Sequence, residues 1–317
     1  MAPGSLPSCA FWPETTGQTK ELQYGRYSSS WLVGPEGTHL DLSASYSHTN
    51  PSGAIAVLDP RGHAFNSSAF VDHPLIRSRT TNLNLSAGFT YLNSVTDLLG
   101  VPFSNDRLRY LTVRTTFDAA DTLLGDAHPA SNLLDAEWDQ GLNIFDESRS
   151  GSNHLSRLNG HSDYSLFVGT ATRIQSIAGG TSLALSISGQ VASASLLTPV
   201  QFGLGGSRFG RGYEPSELTG DDGFAASVEG RYDLPFFSQI IGHPQIYAFY
   251  DVGQIWNIDP LPNAPSSASL ASAGAGVRFT FLDRFDLDLE IAKPLTRIVA
   301  SRGDKNFRPL FNISTHF

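Results

Sequence analysis

Residues 203–231, GLGGSRFGRGYEPSELTGDDGFAASVEGR, join two kinds of chemistry. The first half is a glycine-rich loop built around Arg211-Gly212-Tyr213. The second half switches to period-2 alternation. Phe224, Ala226, Val228, Gly230 and Tyr232 fall on one face, and Ala225, Ser227, Glu229, Arg231 and Asp233 on the other. Such alternation predicts a half-buried strand. Which solvent each face meets decides the class of protein, so the rest of the chain has to be read with it.

Composition narrows the choice. The chain has 317 residues, a formal net charge of -9 and no Lys/Arg run. Nucleic acid is therefore not an expected partner, because its binding draws on clustered cations. Charged residues make up only 16%, below the roughly 25% of ordinary soluble domains. No apolar run approaches the about 18 residues of a transmembrane helix. A single cysteine, Cys9, excludes an internal disulfide and any multi-cysteine metal site. Met1–Lys20 is rich in Pro, Gly and Thr and lacks both the basic start and the apolar core of a secretory signal. If the protein is exported, the expectation is that its start lies upstream of this sequence. Residues 1–21 are expected to be irregular.

Outward from the central stretch, alternation recurs and helical periodicity does not. Leu22–Val33, Leu40–Tyr46, a weaker segment near Phe65–Val71, Leu83–Tyr91, Leu111–Phe117, Leu134–Ile144, Tyr164–Ile174 and Leu183–Val191 precede the loop. Ile246–Val252, Ala271–Phe281, Phe285–Ile291 and Phe311–Phe317 follow the strand at 224–233. That is about 13 strands, each near the 9–11 residues a tilted strand needs to cross a bilayer. The links nearly alternate between short (Gly34–Gly37, Ala178–Gly180, Asp283-Arg284) and long (Asn50–Ala64, Ser148–His161, 196–222, Val299–Asn306). An up-and-down barrel with tight turns on one side and long loops on the other has this rhythm. The Ala119–Ala130 link is longer than the scheme wants.

A soluble β-sandwich also alternates apolar with polar, so the period does not choose between them. Two details favour a transmembrane antiparallel β-barrel spanning 22–317. Tyr46, Tyr91, Phe117, Tyr232, Trp256 and Phe281 sit toward strand ends on apolar faces, where an interfacial girdle would lie. The last strand places Phe311, Ile313 and Phe317 on one face and stops on an aromatic, resembling the assembly signal of bacterial outer-membrane barrels. Outer-membrane lipid and the barrel assembly machinery are then expected partners. A barrel-assembly-insertase-like protein and a soluble or surface β-sandwich binding protein are the competing readings.

The loop carries a family resemblance. Gly205-Gly206, Gly210-Arg211-Gly212-Tyr213, Gly220-Asp221-Asp222-Gly223 and Glu229 with Arg231 resemble the signature of two-partner secretion transporters, the ShlB/FhaC/HecB type of haemolysin secretion/activation protein. The family reads Val-Arg-Gly-Tyr or Val-Arg-Gly-Phe where this chain has Gly210-Arg211-Gly212-Tyr213. A second family motif, Phe-x-Asp-x-Gly, is matched by Phe249, Asp251 and Gly253. The resemblance implies a sixteen-stranded outer-membrane barrel whose later strands correspond to 22–317, with no counterpart here for POTRA domains, plug helix or first strands. A lone sheet of about 13 strands would leave unlike edges unpaired in lipid. The resemblance also implies that the loop at 196–222 folds back into the lumen. There Arg211 would pair with Asp251, with Glu229 as an alternative acid, and Tyr213 would pack on the wall. The implied client is a secreted polypeptide of haemolysin or adhesin type, moved unfolded to the cell surface.

Enzyme readings are weak. Gly203-Leu204-Gly205-Gly206 precedes no helix that could offer an N-terminus to a phosphate. His154, Ser156, His161, Ser162 and Asp163 cluster in one long polar link, where a catalytic triad cannot be read from proximity. The nine histidines lack ligand spacing. No catalytic residue, metal or cofactor is expected.

Overall fold

A computed structural model describes residues 22–50, 57–235, 241–282 and 284–315, apart from the side chain of His243. The strands are β1 (Leu22–Leu32), β2 (His39–Thr49), β3 (Arg61–Arg77), β4 (Thr81–Leu98), β5 (Val101–Asp121), β6 (Ala130–Gly141), β7 (Ser165–Ala178) and β8 (Thr181–Ala192). After two short strands, β9 (Phe202–Leu204) and β10 (Leu218–Gly220), come β11 (Asp222–Asp233), β12 (Ile241–Trp256), β13 (Ser267–Phe281), β14 (Phe285–Pro294) and β15 (Arg308–Thr315). All but β9 and β10 form one 13-stranded antiparallel sheet in chain order, with β8 beside β11. Among the described residues there is no α-helix, and no helix is long and apolar enough to cross a membrane.

The two faces are inverted relative to a soluble protein. In β5, Leu111 and Val113 are exposed while Thr112 is buried. In β6, Leu134 and Trp138 are exposed while Asp139 is buried. In β11, Phe224, Val228 and Tyr232 are exposed while Ala225 and Glu229 are buried. A sandwich would bury the apolar set between two sheets; here one sheet turns it outward. That excludes the β-sandwich and fits a lipid-facing exterior with a polar interior.

Five expectations need correction. The segment near Phe65–Val71 is not weak but part of a 17-residue strand, in which histidines, serines and Pro74 dilute the alternation. β4 and β5 run 18 and 21 residues, joined by Leu99-Gly100, so they extend well past a bilayer on the side of the long links. Tyr91 therefore lies within a strand, not at its end. Ile144 lies outside β6, which stops at Gly141. The 122–129 link is eight residues long, and Gly125 N–H and His128 N–H close turns within it. Phe317, and hence the aromatic terminus, lies outside the described residues; Phe311 and Ile313 are exposed on the apolar face of β15. Among the described residues β1 and β15 are the sheet's two edges.

Candidate functional site

The segment between β8 and β11 does not project away from the sheet. It folds onto the polar face, where β9 and β10 pair as a small hairpin, Leu218 opposite Leu204. Phe202, Leu204 and Tyr213 bury themselves with Ala225, Ile255, Leu270 and Val299 in an apolar cluster between loop and wall. Burial of this kind is the main non-directional attraction holding the loop down. Gly253 makes room for it: a Cβ there would lie 2.5 Å from Leu204 Cδ1.

The tip is shaped by glycine. Gly205 donates its N–H to the Phe209 carbonyl at 3.0 Å, closing a turn that includes Gly206. Gly210 has φ +88°, a backbone region that glycine enters without steric cost. Gly212 answers a different demand. A Cβ at that position would lie 2.8 Å from Pro294 N and 2.9 Å from Ser272 Cβ, so the loop backbone touches the wall directly.

Between these glycines Arg211 is 7% exposed and enters a set of carboxylates. Its Nε donates to Asp251 Oδ2 at 3.1 Å and its Nη2 to Asp251 Oδ1 at 2.9 Å, the two-point geometry that suits a guanidinium to a carboxylate. Nη1 donates to Glu229 Oε2 at 2.7 Å and, more weakly, to Glu290 Oε2 at 3.4 Å. The backbone N–H groups of Gly210 and Arg211 also donate to Asp251 Oδ2, at 3.1 and 3.0 Å. Ser227 Oγ donates to Asp251 Oδ1 at 2.7 Å, and the Arg211 guanidinium lies 3.3 Å from the Phe249 ring centroid. Burial works against the charged arginine, but Asp251 and then Glu229 outweigh it and hold its pKa above the ordinary value. Asp251 and Glu229 are thus simultaneous partners, not alternatives: they lie on adjacent strands with Glu229 opposite Phe249.

Sequence reasoning missed several supports. Glu290 and Asp288 sit on the polar side of β14, a pattern readable in DLDLE, but the approach of Glu290 to Arg211 depends on sheet curvature. Tyr247 Oη lies 2.6 Å from Asp288 Oδ1 and 2.9 Å from Glu290 Oε2, its single proton shared between the two carboxylates. Arg278 bridges Glu229 and Asp288 at 2.8 and 2.9 Å. Arg308 on β15 donates to the Gly212 carbonyl at 3.2 Å and to Glu214 at 2.7 Å. Tyr213, 1% exposed, donates from Oη to the Ala271 carbonyl at 3.2 Å and accepts from the Arg297 N–H at 3.2 Å. The polar cluster in the 142–164 link forms no triad: Ser156 Oγ accepts the Thr198 N–H at 3.0 Å, and His161 meets Asp163.

One up-and-down antiparallel sheet, apolar outside and polar inside, with a surface loop latched to its inner wall, defines an outer-membrane β-barrel protein. The chain belongs to the haemolysin secretion/activation protein ShlB/FhaC/HecB family, whose family model matches residues 14–279. It is similar to the heme/hemopexin transporter protein HuxB of Haemophilus influenzae strain 86-028NP, 24% identical over 300 residues that cover 90% of this chain and 50% of that protein. Among solved structures, CdiB from Escherichia coli matches with a TM-score of 0.74 at 18% identity, covering 92% of this chain and 52% of that one. BamA from Haemophilus ducreyi lacking POTRA domains 1-3 matches with a TM-score of 0.64 at 14% identity, covering 93% and 62%. The chain thus spans about half the length of the curated relatives it matches.

Proposed function

We propose that this chain forms the pore part of an outer-membrane transporter that moves a secreted, unfolded polypeptide to the cell surface. Its partners are that exoprotein client, outer-membrane lipid and the barrel assembly machinery; it performs no chemical step. The observation that carries the reading is Arg211. A plain surface loop has no use for a buried guanidinium shared among Asp251, Glu229 and Glu290 on three strands of the inner wall. A pore that must be blocked when idle does. The cation gives the loop one docked position and a reversible attachment. Family membership and the apolar exterior support the same reading. It predicts that Arg211→Glu stops secretion in the source cells while the protein still reaches the outer membrane. Adding Asp251→Arg restores part of it, because an opposite pair stands again between loop and wall. Normal secretion by both variants would remove any role of the pair.

A further inference from the structure

At the root of the same loop lies a second carboxylate, remote from the first. Asp221 is 0% exposed, and three surface links meet on its side chain. Arg157, from the 142–164 link, donates to Oδ1. The Leu196 N–H, from the start of the central loop, donates to the same oxygen at 2.7 Å. The Ile258 N–H, from the 257–266 link, donates to Oδ2 at 2.7 Å. The main chain of Asp221 is fixed as well: its N–H donates to the Trp256 carbonyl at 2.9 Å, and its carbonyl accepts Gln190 Nε2 at 2.9 Å. Arg157 also donates to the Leu196 carbonyl at 2.9 Å, tying two links directly. Beneath this point Leu108, Leu155, Tyr164, Leu166, Leu196 and Leu197 close an apolar plug on the inner side, with Ile258 packed against it.

Asp221 stands beside Trp256, five positions along β12 from Asp251. At about 3.3 Å per residue that is roughly 17 Å along the strand. The two carboxylates therefore anchor different levels of the interior, one at the wall and one at the surface mouth.

We propose that Arg157 and Asp221 form an outer lock, which shuts the surface mouth and opens separately from the Arg211 latch. The purpose given to the lock rests on the pore reading above; its existence does not. The physical reason for a lock is shared satisfaction. A buried carboxylate left without its donors is costly, so no single link can lift off alone without exposing that cost to the other two. The three links open together or stay shut. Arg157 is the controlling member, because its side chain keeps 21% exposure while Asp221 has none. It can be replaced without carving into the fold.

The test uses the full-length protein in the outer membrane of its source cells, with Cys9→Ser as background. Leu196→Cys and Ile258→Cys serve, one at a time, as reporters on two different links, and a membrane-impermeant maleimide reads their labelling rate on intact cells. Arg157→Ala, on the third link, is expected to speed both reporters by about tenfold or more, the effect of losing its charge-assisted hydrogen bonds to Asp221 and to the Leu196 carbonyl. Arg157→Lys, which retains the cation, is expected to give less than half that increase. Arg211→Met should leave both rates within about twofold. Unchanged rates in Arg157→Ala would overturn the proposal, as would acceleration of one reporter alone. Equal acceleration by Arg211→Met would mean one lock and not two. Labelling is independent of any client, so a protein that secretes nothing still answers this question.

Discussion

Replacing Arg211 with methionine removes the charge from the docked loop while roughly preserving its length, and the structure sets the size of the effect. The substitution leaves Asp251, Glu229 and Glu290 facing the gap. Glu229 keeps Arg231 and Arg278, both at 2.8 Å. Asp251 keeps Ser227 and the two loop N–H groups but no cation. Breaking a buried ion pair by removing one partner costs about 3–5 kcal/mol. The interior of a barrel is partly wet, which favours the lower end. At about 1.4 kcal/mol per factor of ten, a loss of roughly 3 kcal/mol raises the undocked fraction about a hundredfold. The reporters are built in: the Gly210 and Arg211 amides are protected by Asp251 Oδ2, which the variant keeps. Their hydrogen exchange, followed in lipid nanodiscs, should accelerate about a hundredfold at residues 210 and 211, together with the Leu204–Leu218 hairpin. Rates within threefold of the unmodified protein would refute the argument. The apolar cluster around Phe202, Leu204 and Tyr213 would then hold the loop without the ion pair.

Two further substitutions test neighbouring parts of the reasoning. Gly212→Ala adds only a methyl group, but it meets the Pro294 and Lys293 backbone at 2.8–3.0 Å, which cannot yield as a flexible side chain would; the loop should undock, with exchange at Gly210 and Arg211 rising at least tenfold, the size expected of mild overpacking. Val228→Arg places a cation on the exposed apolar face midway along β11, and folding into lipid vesicles should weaken by about 2–4 kcal/mol; a neutral effect would argue that this face does not meet lipid.

The amino-acid sequence by itself determined the strands and their faces. Period-2 alternation is a local property of the chain, so Phe224, Val228 and Tyr232 could be separated from Ala225, Ser227 and Glu229 without coordinates. The motifs at Arg211 and Asp251 are also short runs, so the family resemblance they carry was legible, and it was that resemblance which implied their pairing. Where a second layer covers the sheet, the local signal fails. Around Arg109 the outer face of β5 is covered by the 142–148 segment. The Arg109 guanidinium lies 3.4 Å from the Tyr91 ring centroid and donates to the Leu92 carbonyl at 2.9 Å. Phe145 packs edge-on against Phe89. A strand face shielded by its own loop has no need to be apolar, so the alternation that would have revealed the long β4–β5 extension is absent there. Only the tertiary structure decided that Glu290, 79 positions from Arg211, joins Asp251 and Glu229, or that Asp221 gathers Arg157, Leu196 and Ile258. Those meetings depend on how far the sheet curves and which links fold inward. Both arise from interactions across the whole sheet, and no single stretch of the chain encodes them.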